Sequence, residues 1–152
     1  MKVKDVMSRS VWTSTPETPL SEIARIMWDK DCGFVPIADA QTKALRGVIT
    51  DRDICMAAWT RGRPLGEIPA SRVLARDVHC CRETDDLSVV HESMRRHQVR
   101  RLPVVDAANQ PIGVVSLNDL ARTAKDAHEQ RDVAATLGEV CRHRVPAAAQ
   151  AT

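Results

Sequence analysis

The sequence predicts an α+β fold in which two β-α-β-β-α repeats pack as one globule. Three observations predict it. The chain of 152 residues contains an internal repeat covering most of its length. Within each unit, apolar residues switch between helical spacing and short strand-like runs. Each unit has little over 50 residues, too few to bury an adequate core alone, so the halves must share one.

The repeat appears when Pro16-Glu-Thr-Pro-Leu-Ser-Glu-Ile23 is set beside Arg82-Glu-Thr-Asp-Asp-Leu-Ser-Val89. Leu20 then falls on Leu87, Pro36 on Pro103 and Asp39 on Asp106, each displaced by 67 positions. After a one-residue deletion the displacement becomes 66, and Gly47 meets Gly113, Val48 meets Val114, Thr50 meets Ser116 and Asp53 meets Asp119.

Taken in order, residues 11–13 are β-prone. Thr18 is expected to cap a helix with Pro19 at its first position, where a missing N–H costs nothing. Leu20, Ile23, Ala24, Met27 and Trp28 form its apolar stripe. Residues 34–39 and 45–50 read as a hairpin, and 51–59 as the closing helix. In the second unit Asp85 is expected to cap, with Leu87, Val90, His91 and Met94 as the stripe. Residues 102–106 and 111–116 repeat the hairpin, and a closing helix starts at Leu117 and reaches Cys141. Gly62, Pro64, Gly66 and Pro69 give linker composition. The expected division is a first repeat at 1–61, a linker at 62–70, a second repeat at 71–125, a helical extension at 126–143 and a flexible tail at 144–152.

Composition narrows the function. Lys and Arg number 22 against 20 Asp and Glu, a balance too even for bulk attraction to nucleic acid or membrane. One Phe, no Tyr and three Trp are too few rings for a base-stacking platform, so nucleic acid is not an expected partner. No run of about 20 apolar residues suggests a membrane span. The first residues have no apolar stretch after their lysines, so a signal peptide is not expected, and the cytoplasm is the expected location. Five cysteines make no regular framework and are read as reduced thiols.

The chemistry concentrates where a strand meets a helix, twice: Gly47-Val-Ile-Thr-Asp-Arg-Asp53 and Gly113-Val-Val-Ser-Leu-Asn-Asp119. A hydroxyl ends the strand and a carboxylate follows three residues on. One reading is a capping box. Another is a nucleotide site, because a helix start offers free N–H groups to phosphate and an acid accepts from a ribose diol. The two are compatible. Arg100 and Arg101 admit both a solvated and a phosphate-facing reading, while Arg95 and Arg96 read as a solvated helix end.

These junctions, with His97-Gln-Val-Arg-Arg-Leu-Pro-Val-Val-Asp106, resemble a tandem cystathionine-β-synthase-type (CBS) domain pair over residues 2–124. The resemblance implies pseudo-two-fold symmetry, two clefts between the repeats, frequent dimerisation, and regulation through adenosine-containing ligands rather than catalysis. Carried onto this sequence, the first cleft takes Thr50, Arg52 and Asp53, with Val48, Val78 and the segment Val99, Arg100, Arg101 and Pro103 around the base. The second takes Ser116, Asn118 and Asp119, with Val114, Ser10, Val11, Cys32, Gly33, Phe34 and Pro36. The first, richer in arginine, is expected to favour the charged nucleotide.

The expected function is thus a stand-alone regulatory module, not an enzyme, that binds AMP, ADP, ATP or NAD(H), needs no further cofactor, forms a homodimer and modulates a partner protein. The alternative on the same fold is a metal- or thiol-dependent stress sensor using His79, Cys80, Cys81 and His91, or Cys141 and His143. No CxxC pair or HExxH spacing supports a metal, and Cys32, Cys55 and Cys81 are expected to pack as small apolar residues. The entry to the second repeat, Arg72-Val-Leu-Ala75, departs from the family's pattern, which Lys4-Asp-Val-Met7 keeps.

Overall fold

The computed structural model describes residues 1–75 and 77–143; the tail expected at 144–152 lies outside them. The first half contains α1 (Leu20–Asp29), β1 (Phe34–Ala38), β2 (Leu45–Thr50) and α2 (Asp51–Arg61). The second contains β3 (Cys81–Arg82), α3 (Leu87–His97), β4 (Arg101–Val105), β5 (Pro111–Ser116) and α4 (Leu117–Thr123), followed by α5 (Ala127–Val140). Among the described residues no helix is long and apolar enough to cross a membrane.

The duplication extends to the backbone. β1 pairs antiparallel with β2, and β4 with β5, in the same register: Phe34 opposite Thr50, and Arg101 opposite Ser116. Both hairpins carry an irregularity before their turn, at Ile37/Ala38 and Val104/Val105. Both turns place one residue in the left-handed region, Lys43 and Asn109, and both helices preceding the hairpins end the same way, at Asp31 and Gln98. Asp39 and Asp106 close the turns by accepting backbone N–H bonds, from Gln41 and Thr42 and from Ala108 and Gln110.

The halves are joined by an exchange of entry segments. Val3, Val6 and Met7 are buried in the core of the second half, with Val90, Met94, Leu102 and Val104. In return Ile68 and Ala70 are buried in the core of the first half, with Leu20, Ile23, Val35 and Ile49. Ser8 and Val114 exchange two backbone bonds (2.9 and 3.0 Å), and Val48 and Ala75 exchange their counterparts (3.3 and 3.1 Å). Each half thus completes the other's sheet face, and neither core closes without the foreign segment.

Several elements differ from expectation. Residues 11–13 form no strand; Ser14 alone makes a parallel bridge to Ile37, the counterpart of Cys81 with Val104 in β3. Pro19 is the N-cap of α1, not its first residue, because the Thr18 hydroxyl is bonded to Thr15 instead. Asp85 does not cap α3: its Oδ2 accepts from the Arg82 N–H (2.8 Å), and Asp86 stands at the cap with Lys2 3.0 Å away. The closing helix breaks after Thr123, since Asp126 caps a new helix by accepting from the N–H groups of His128 and Glu129. Trp28, counted in the stripe of α1, is 87% exposed, and Cys55 is exposed as well.

Candidate functional site

The two strand-to-helix junctions are built alike. Thr50 caps α2: its hydroxyl oxygen accepts from the Asp53 N–H (3.2 Å). In return Asp53 Oδ2 accepts from the Thr50 N–H (2.8 Å) and hydroxyl (2.9 Å). Ser116 and Asp119 repeat this at the start of α4. The capping-box reading therefore holds at both places. It leaves one oxygen of each carboxylate to be accounted for, and there the halves differ. Asp119 Oδ1 faces the Arg122 guanidinium at 3.3 Å, whereas the position equivalent to Arg122 is Met56.

A cleft of about 1020 Å³ opens in front of the first junction. Its size matches cavities that enclose a ligand the size of a nucleotide. Thr50, Arg52, Asp53, Val48, Val78, Val99, Arg100, Arg101 and Pro103 all line it, so the whole first set is gathered in one place. The topology accounts for this. The ends of β1 and β2 carry Phe34 and Thr50, and the segment leading into β4 carries Val99 to Arg101, so the two halves face each other across the gap. Among the described residues Arg52, Arg100 and Arg101 form no ion pair with a carboxylate. Three guanidinium groups without such partners, a helix start and a carboxylate with one open oxygen make a surface suited to a sugar phosphate. Asp51 and Asp77 also line the cleft. The Asp51 carboxylate is 2.8 Å from where a side chain on Gly33 would begin, so glycine lets that acid fold back against the hairpin.

The second set stands at the positions equivalent to the first, with Ser10, Val11, Cys32, Gly33, Phe34 and Pro36 matching Asp77, Val78, Val99, Arg100, Arg101 and Pro103. Phe34, expected there, lines the first cleft, and Pro36 is buried in the strand. Ser10 and Asn118 are exposed, Val11, Cys32 and Gly33 are half-buried, and Val114 bonds to Ser8 in the exchanged segment. A smaller cavity of about 260 Å³, lined by Leu87, His91, Leu120, Asp132 and Val133 among others, lies beneath α5 and takes in neither Ser116 nor Asp119.

Sequence reasoning missed part of the first cleft's wall. Val140, Cys141, Arg142 and His143, at the end of α5, also line it, as do Gln98 and His79. Nothing in the repeat pattern signals the α5 residues, because they have no equivalent in the first half. His79 stacks on His97 with ring centroids 3.3 Å apart; desolvation, then His79 and Arg96, hold the His97 imidazole below the ordinary histidine value.

The thiols separate by environment. Burial pushes the Cys81 pKa up to about 12, with Asp85 adding to the effect. Cys80, Cys55 and Cys141 are exposed. Among the described residues no group of three or more His, Cys, Asp or Glu side chains is arranged to hold a metal ion.

The CBS domain family matches the chain twice, at residues 3–59 and 70–126. The CBS domain-containing protein YhcV of Bacillus subtilis is 35% identical over 119 residues, covering 78% of this chain and 82% of that protein. Among solved structures, the CBS domain pair of protein MJ0100 in complex with 5′-methylthioadenosine and S-adenosyl-L-methionine is 25% identical with a TM-score of 0.73, over 80% of this chain and 94% of that one. Hypoxic Response Protein I with two coordinated zinc ions is 26% identical with a TM-score of 0.74, over 82% of this chain and 100% of that one.

Proposed function

The chain belongs to the CBS-domain family, with one CBS domain at 3–59 and a second at 70–126, and from that premise we propose that it is a regulatory module that binds an adenine nucleotide in the cleft between Thr50 and Arg100. The observation that carries this reading is the meeting of the Thr50–Asp53 pair with Arg52, Arg100 and Arg101 in one cavity of about 1020 Å³. Asp53 Oδ1 accepts from the ribose, the start of α2 and the guanidinium groups hold phosphate oxygens, and Val48, Val78 and Val99 flank the base. The adenosyl ligands bound by the MJ0100 pair support this class of ligand. AMP, ADP, ATP and NAD(H) are its members, with those carrying phosphate favoured by the arginines. The second junction contributes a weaker site.

The module works by binding, not by turnover. A ligand that prefers one conformation of the pair shifts the protein toward it and so alters a partner protein. It acts in the cytoplasm and as a homodimer, with the exposed rings of Trp28 (87% exposed) and Trp59 (79%) on α1 and α2 as the surface for self-association. Light scattering of the wild type and of Trp28→Ser with Trp59→Ser tests this: a dimer should become a monomer.

The nucleotide reading is tested by a thermal-shift panel of AMP, ADP, ATP, NAD(H) and S-adenosylmethionine. A ligand present at 100 times its dissociation constant stabilises by about 2.7 kcal/mol. Asp53→Ala should remove the response. A flat panel, or turnover of a bound nucleotide that disappears in Asp53→Ala, would replace this reading.

A further inference from the structure

The end of α5 belongs to neither CBS domain, yet it forms part of the wall of the first cleft. Resting on the nucleotide reading above, we infer that Val140 to His143 complete the ligand site and that the nucleotide controls how firmly α5 is docked.

Besides the packing of Val133 and Val140 in the second core, polar contacts tie α5 to the half that carries the base-facing wall. The Thr136 hydroxyl, fully buried, lies 2.8 Å from His91 Nδ1 on α3. The Gln98 side-chain amide donates to the carbonyls of Glu139 (3.3 Å) and Arg142 (3.2 Å). Arg100 Nη2 lies 3.5 Å from Cys141 Sγ. Gln98 and Arg100 also line the cleft. The same three-residue segment thus touches both the ligand space and the end of α5.

The helix is also weakly held by its own sequence. Only Thr136 and Val140 are buried along its 14 residues, and Leu137 is 48% exposed. Gly138 lies in the helix interior with nothing within 4 Å of where its side chain would begin. No close approach requires a glycine there, so it loosens the helix without a packing return. An element with little buried apolar surface opens at low cost.

These facts fix the direction of coupling. The cleft is roomy enough for a nucleotide while α5 is in place, so a bound ligand touches Arg100 on one side and Cys141 or Arg142 on the other. It therefore binds the docked state better and holds α5 down. Coupling is reciprocal: whatever loosens α5 weakens the nucleotide by the same factor.

The experiment is hydrogen exchange of the full chain with and without ATP or AMP, read on peptides covering 127–143, together with iodoacetamide labelling of Cys141 against Cys55 on α2. Ligand should slow exchange of α5 and labelling of Cys141 by about fivefold or more, and leave Cys55 unchanged. Gln98→Asn, which keeps a side chain tolerant of the left-handed backbone, should speed α5 exchange in the absence of ligand and weaken nucleotide binding equally; Thr136→Val should do the same through the α3 contact. A thermal shift abolished by Asp53→Ala, with α5 exchange and Cys141 labelling unaltered, overturns the coupling and leaves the nucleotide reading standing. A flat thermal-shift panel overturns both.

Discussion

The Arg122 guanidinium lies 3.3 Å from Oδ1 of Asp119, and this pair distinguishes two junctions whose capping boxes otherwise match. In the second repeat the acid's remaining oxygen is engaged by a cation from the next helical turn. In the first, Met56 stands at that position, which on the proposed reading leaves the second oxygen of Asp53 to accept from a ribose. Asp53→Asn should therefore abolish the main nucleotide-induced thermal shift, and Asp119→Asn should leave most of it. Each substitution also weakens a capping box, lowering stability without ligand by about 1 kcal/mol. Arg122→Met should raise occupancy at the second junction, seen as a second binding event by calorimetry. Equal loss of ligand response in the two Asn variants would show that the junctions are equivalent.

Gly47 and Gly113 are where the exchanged segments cross the hairpins. A side chain on Gly47 would begin against Leu74 Cδ1 and 2.7 Å from the Ala75 carbonyl; one on Gly113 would begin 2.7 Å from the Ser8 carbonyl. A backbone carbonyl cannot swing aside as a side-chain tip can, so each Gly→Ala should destabilise by about 1–3 kcal/mol. Gly138→Ala is the contrasting variant: with open space around it, it should stabilise by up to about 1 kcal/mol. Urea denaturation of the three variants checks the pattern, and tolerance of alanine at both 47 and 113 would contradict the crossing.

The exchange itself could not be read from the sequence, although the glycines that permit it could. The repeat displaced by 67 and then 66 positions located both hairpins and the starts of α2 and α4, because the Thr50–Asp53 and Ser116–Asp119 spacings are local signals that act within one helical turn. The first cleft was legible only through the resemblance to CBS domain pairs, because the repeat by itself does not say that Thr50 and Arg100 face each other. Thr18 and Asp85 misled because a polar side chain near a helix start has several backbone groups within reach, and Thr15 and Arg82 took them. The end of α5 reaches the cleft through contacts 41 and 44 residues apart in sequence, from Gln98 to Glu139 and Arg142. No periodicity encodes such a distance. The break before α5 was readable in principle, from Asp126 followed by Glu129, whose side chain accepts from the Lys125 N–H (2.7 Å).

Burial separates Cys81 from the three exposed thiols, with Cys32 in between. Cys81 is buried with its pKa pushed up to about 12, so it carries almost no thiolate at neutral pH and should resist alkylation in the folded protein. Cys55, Cys80 and Cys141 are exposed and should label at pH 8. Mass mapping after iodoacetamide treatment, with and without denaturant, distinguishes them. Labelling of native Cys81 as fast as of Cys80 would reopen the adjacent pair as a thiol sensor.

Acid should weaken the hold on α5 through His91. The imidazole is buried beside Thr136, and burial holds its pKa below the ordinary value of 6.5; Asp132 on α5 pulls it upward and Arg95 on α3 pushes it down again. Glu129 of α5 and Asp86 at the start of α3 line the same cavity beneath the helix. The folded state thus binds fewer protons at this site than the unfolded chain, and stability rises with pH through this range. The contribution is fully present above about pH 6.5 and is lost as pH falls through the lowered value. Asp126 and Asp39, whose carboxyls are held below the ordinary range, lose their contributions only at lower pH. The Tm of the wild type should therefore fall between pH 7 and 5 more steeply than that of His91→Gln, which has no charge to gain. The protection of α5 against hydrogen exchange, corrected for the intrinsic pH dependence of amide exchange, should fall over the same interval, because His91 is its buried polar anchor. Parallel Tm profiles for the two proteins would show that His91 titrates without cost and that the docking of α5 is indifferent to its charge.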